Sequence, residues 1–150
     1  MKVLIATDGS RIAQMSAARA GELLGDVDTV TVLAVVTDLA NEDAGGIEGS
    51  TETPAEAERM LETEQSDAAA WIEDIISVLP EAWRSRVTKR VEGGDAGPMI
   101  TWVAEHEQSD VVVVGSHGHG VLKRMVMGSV SQHVVHHSPC PVLLVRAPRS

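Results

Sequence analysis

The sequence predicts an α/β fold, a parallel sheet covered by helices on both faces, and three observations carry that prediction. Apolar runs of strand length stand at Lys2–Thr7 and Val111–Gly115, with a Val- and Thr-rich run at Thr29–Val36 between them. A strand without polar alternation is buried on both faces, which is the habit of parallel sheets. These runs alternate with segments of helical period, and strand, helix and strand are complete before residue 37, the arrangement of a parallel crossover unit. Finally, a glycine-rich stretch follows the valine run at 111–114, on the side of such sheets where ligands bind.

Taken in order, Lys2–Thr7 is the first strand. Residues 11–24 repeat at helical spacing, with Ile12, Met15, Ala18 or Arg19, and Leu23 as the expected inner face. Ser10 is placed to cap that helix and Gly25 to stop it. Thr29–Val36, rich in Val and Thr, is the second strand. Residues 38–52 carry five acidic residues, three glycines and no basic residue, and read as a long solvated loop that could also close over a ligand. Thr53, Pro54 and Glu56 form a capping box with proline at the first helical position. The helix it opens should run to about Leu79 and stop at Pro80. Residues 87–91 make a shorter, half-exposed third strand, interrupted by Lys89 and Arg90. Asp95 can cap a helix over 98–107 that turns Met99, Ile100, Val103 and Ala104 inward. Val111–Gly115, Ser129–His137 and Val142–Val145 complete the order as strand, helix and strand. The result is a five-stranded, doubly wound, Rossmann-like sheet with expected strand order 3-2-1-4-5. With 150 residues and no internal repeat, one domain over 1–150 is expected.

Composition removes several function classes. Twelve basic against 22 acidic residues leave a formal charge of −10, which argues against nucleic acid and against a basic membrane-binding patch. No apolar stretch approaches the roughly 20 residues that span a bilayer, and the run at 3–6 is too short for a signal-peptide core. The single Cys140 allows no internal disulfide; flanked by prolines, it reads as a small buried residue. A cytoplasmic location is the expectation.

The chemistry concentrates at three strand ends. The stretch Gly115, Ser116, His117, Gly118, then nine residues, then Gly128 and Ser129 joins a buried strand to a helix through a glycine-rich loop. Glycine lets backbone approach a ligand closely, and a helix N-terminus offers unpaired N–H groups with partial positive charge, so the pair makes a phosphate site. Asp8, ending the first strand, either caps the next helix or contacts a ribose hydroxyl or Mg²⁺. Lys123 and Arg124, inside the spacer, are either a solvated loop or charge compensation for phosphate. His117 and His119 lie in the same loop, and two ligands do not make a metal site. One helical face carries His133 with His136 or His137, without further ligands, so no metal is expected there. A P-loop is excluded because no G-x-x-x-x-G-K-[ST] occurs, and the first strand–helix turn has only Gly9 instead of a dinucleotide fingerprint.

These residues resemble the universal stress protein family. Its ATP-binding subgroup carries G-x2-G-x9-G-[ST], met here by Gly115, Gly118, Gly128 and Ser129. The opening residues 5–10 and the ending around Pro139, Cys140, Pro141 and Val142 are similar to the same family. The resemblance implies ATP with Mg²⁺ as the ligand. It implies that Ala6, Thr7 and Asp8 line the ribose and adenine side and that Val35 holds adenine through its backbone. Val114, Gly115, Ser116, His117 and Gly118 then form the turn over ribose and α-phosphate, and Gly128, Ser129 and Val130 face the phosphates. It also implies homodimers through the strand at Val142–Val145. The expected function is a nucleotide-dependent regulatory or protective module. The alternatives are a slow ATPase or phosphotransferase, and a dimeric interaction module that takes no nucleotide.

Overall fold

The computed structural model describes residues 1–36, 53–117 and 127–148. Five strands form one parallel sheet: β1 (Lys2–Thr7), β2 (Thr29–Val36), β3 (Val87–Gly93), β4 (Val111–Gly115) and β5 (Val142–Val145). Their order is β3-β2-β1-β4-β5, as expected from the sequence. β1 is central. Its Ile5 is in register with Val32 of β2 on one side and Val113 of β4 on the other.

Alternation along the strands sends side chains to two layers. Val3 and Ile5 of β1 and Val30, Val32 and Ala34 of β2 face helices α1 (Arg11–Leu23) and α2 (Pro54–Val78). Leu4, Leu33, Val112 and Val114 face α4 (Ala96–His106) and α5 (Ser129–His137). The short α3 (Glu81–Arg84) places Trp83 in the first layer. Each fully buried Leu, Ile or Val is worth roughly 1.5–3 kcal/mol of transfer free energy. With no Phe or Tyr in the chain, aliphatic side chains carry this core.

The local signals act as read. Ser10 caps α1, accepting from Ala13 N–H at 3.2 Å. Thr53 and Glu56 close their capping box around Pro54. β4 is buried along Val111–Val114.

Four expectations need correction. The inner face of α1 is Ile12, Ala13, Ser16, Ala17 and Ala20, whereas Leu23 is 52% exposed. Small residues win because α1 sits hard against the sheet; a Cβ on Gly115 would lie 3.0 Å from Ile12. α1 ends at Leu23 with an extended Leu24 as its cap, and Gly25 directly after it lacks the positive φ of a glycine cap. α4 begins at Ala96, two residues earlier than expected, and Asp95 stands at its cap position without a side-chain cap bond. β3 runs on to Gly93 because it stays in register with β2 as far as Val36. Arg90, expected only as an interruption of β3, is anchored on Glu107 at 2.7 Å and on Glu92. Those two carboxylates hold its guanidinium above the usual arginine range. The segment 38–52 lies outside the described residues. No helix among the described residues is long and apolar enough to cross a membrane.

Candidate functional site

The carboxyl ends of β1, β2 and β4 open on one cleft of about 340 Å³, within the size range of small-molecule sites. It lies where strand order reverses, β1 between β2 and β4. Three elements build its rim.

The first is the turn after β1. Gly9 has φ +78°, a conformation that favours glycine. The turn is held by its own side chains: Gly9 N–H donates to Thr7 Oγ1 at 3.1 Å, and Ser10 N–H donates to Asp8 Oδ1 at 3.0 Å. Ala6, Thr7 and Asp8 line the cleft, followed by Ser10, Ile12 and Ala13 at the start of α1.

The second is the start of α5. Gly128 is its N-cap, with φ −63° and ψ 155°, and no side chain caps the helix. Gly128 N–H donates to Ser116 O at 2.8 Å, and Ser131 Oγ donates to the same oxygen at 2.8 Å. Ser116 N–H is in turn tied to Val145 O at 2.8 Å. The end of β4 is thereby clamped to the first turn of α5, where Gly128, Ser129 and Val130 line the cleft. The first N–H groups of a helix have no helical partners, the condition for receiving an anion, and the residues that carry them in α5 line the cleft.

The third is the apolar end. Leu33 and Val35 of β2 lie opposite Ala96 and Ile100 of α4. Val114 and Gly115 connect this end to the polar one, and His117 completes the rim. Ser116, expected at the site, is not among the lining residues: it sits beneath the surface, 8% exposed, its carbonyl taken by Gly128 and Ser131 and its hydroxyl 2.9 Å from His117 Nδ1.

Of the residues expected at a site, Ala6, Thr7, Asp8, Val35, Val114, Gly115, His117, Gly128, Ser129 and Val130 are thus brought together around one cavity. Gly118, Lys123 and Arg124 lie outside the described residues. Ser10, Ile12, Ala13, Leu33, Ala96, Ile100 and Ser131 also line the cleft and were not among those expected. Ser10 reads in sequence as a helix cap, and Ile100 as core. Neither signal distinguishes a residue that caps or packs from one that does so at a cavity wall. No group of three or more His, Cys, Asp or Glu able to hold a metal occurs among the described residues.

The model of the universal stress protein family matches residues 1–146. The chain belongs to that family. Universal stress protein MJ0531 of Methanocaldococcus jannaschii is 29% identical over 149 residues, covering 99% of this chain and 83% of the relative. Among solved structures, protein MJ0577 is 26% identical with a TM-score of 0.78, covering 99% of this chain and 97% of the other. A family member solved in complex with cAMP has a TM-score of 0.70 at 18% identity, covering 97% and 96% of the two chains; that likeness is one of fold.

Proposed function

We propose that the cleft binds ATP with Mg²⁺, and that this family member acts as a nucleotide-dependent regulatory or protective module. One observation carries the reading: an apolar slot, an uncapped helix start and a carboxylate, Asp8, share one cavity. The slot between Leu33, Val35, Ala96 and Ile100 suits a purine. Asp8 suits a ribose hydroxyl or a hydrated Mg²⁺, which takes one or two carboxylates together with phosphate oxygens. The Gly128–Ser129–Val130 start of α5 suits the phosphates. The G-x2-G-x9-G-[ST] spacing supports the same assignment, as does the cAMP complex of a structural neighbour. Gly118, Lys123 and Arg124 are assigned to the phosphate end on the spacing alone.

The test is direct. Freshly purified protein is denatured and the released small molecules are assayed for adenine nucleotides; stripped protein is then titrated calorimetrically with MgATP. Stoichiometric nucleotide or saturable heat is expected. Neither appearing would overturn the assignment.

We propose also that two copies associate through β5, whose four residues are all half-buried in the single chain. An apolar edge strand of this kind needs covering. Sedimentation at micromolar concentration should show a dimer, and a monomer there counts against it.

A further inference from the structure

The turn that presents Thr7 and Asp8 to the cleft is gripped from behind by a residue of another layer. A Cβ placed on Gly9 would lie 2.7 Å from Trp71 Cε2, and closer still to Nε1 and Cδ1. The indole therefore rests directly on the Gly9 backbone. Trp71 belongs to α2, on the opposite side of the sheet from α4 and α5, and is half-buried against the core that includes Ala68, Ile72 and Ile75. Thr7, Asp8 and Ser10 line the cleft, whereas Gly9 and Trp71 are not among its lining residues.

Glycine has the widest backbone freedom of any residue. Gly9 is required here twice, for its positive φ and for the space the indole occupies. On the cleft side, Thr7 Oγ1 and Asp8 Oδ1 accept bonds from the amides of Gly9 and Ser10, within the turn itself. The indole adds a restraint from outside the turn, one that ties Gly9 to α2.

We infer that Trp71 is a positioning residue for the Thr7–Asp8–Gly9–Ser10 turn, and that through Gly9 it sets where Asp8 meets the ligand; the inference rests on the nucleotide reading above. By holding the turn in its binding geometry before ligand arrives, the indole removes an ordering cost from association. Trp71 touches no ligand and contributes through Gly9 alone.

The experiment compares wild type, W71F and W71A by MgATP calorimetry, below the melting temperature of each as set by far-UV circular dichroism. Amide 1H–15N spectra of the ligand-free proteins are recorded alongside. W71A should weaken MgATP by about tenfold or more, and W71F, which keeps a ring on Gly9, should stay within about threefold of wild type. The Asp8, Gly9 and Ser10 amides should shift in W71A without ligand. A merely structural tryptophan would lower the melting temperature and leave the affinity of the folded protein and these amides unchanged. That result would overturn the inference while wild-type binding stands. A wild type that takes up no MgATP overturns the nucleotide reading and this inference with it, and is recognised because all three proteins then fail alike.

Discussion

Replacing Gly128 by Asp should separate binding from folding. Gly128 caps α5 in an extended conformation open to any L-residue, and α5 has no side-chain cap. Aspartate is among the best capping residues, only a few tenths of a kcal/mol better than glycine, and its charge at a helix N-terminus adds about 0.3–1 kcal/mol. Against this, the new Cβ lies 3.3 Å from His117 Cα, 3.5 Å from Ser131 Oγ and 3.6 Å from Ser116 O. That is tight on the backbone side, and His117 must give by a few tenths of an ångström, which offsets part of the gain. The terms nearly cancel, so stability should change by less than about 1 kcal/mol, a shift of roughly 2–4 °C in melting temperature at most for a chain of this size. The ligand meets a different balance. A carboxylate about 4 Å from one phosphate charge, at an effective dielectric near 20, costs roughly 4 kcal/mol, or about a thousandfold in affinity. Thermal melts and MgATP calorimetry on the same preparations read both quantities. Binding within about tenfold of wild type would refute the placement of phosphate at α5. A collapse of the melting temperature would refute the cap geometry.

Other substitutions probe the frame around the site. Gly97→Ala would push a Cβ to 2.9 Å from His133 Cβ and Cγ, separating α4 from α5; a loss of about 1–3 kcal/mol is expected in urea unfolding, with part of it recovered in the Gly97→Ala, His133→Ala double variant. Ile75→Ala, at a position with no exposure, should cost about 2–5 kcal/mol by the same assay. Bonds from the backbone and hydroxyl of Thr53 hold the Glu56 carboxyl below its usual range. A folded value below the unfolded one stabilises at pH above the ordinary glutamate range, and that contribution fades as pH falls through the lowered value. Amide protection in the first turn of α2 should therefore fall in acid, and Glu56→Gln should remove that pH dependence.

The fold was largely legible in the chain because its strands are written without ambiguity. Val111 to Val114 have no polar interruption, so both faces had to be covered, and Ser10, Thr53 and Pro54 mark helix starts by chemistry that acts over three residues. The inner face of α1 departs from its sequence pattern for a physical reason: hydrophobic weight points to Leu23 and Met15, yet close helix–sheet approach selects Ala13, Ser16, Ala17 and Ala20. Much the same limit applies at the cleft. Glycine spacing points to Gly115 and Gly128, and the end of β1 to Asp8, since these depend on local backbone needs. Ala96, Ile100 and Leu33 enter only through the packing of α4 over β2, which leaves no local mark. Trp71 is further still from sequence reading: its contact with Gly9 spans 62 positions (71 − 9) and exists only once α2 lies on the sheet.

Three helices begin at the cleft wall: α1 near Ser10, α4 at Ala96 and α5 at Gly128. Among the described lining residues there is no Lys or Arg. Beside the hydroxyls of Ser129 and Ser131, the start of α5 offers an anion main-chain N–H groups, and main chain is common to every amino acid. Such donors cannot be deleted by changing a side chain, neutralised by acetylation or titrated near neutral pH. They are lost chiefly by addition, when a Cβ or a carboxylate is put where glycine left room. For these donors the vulnerable positions are the few where the side chain is missing, such as Gly128.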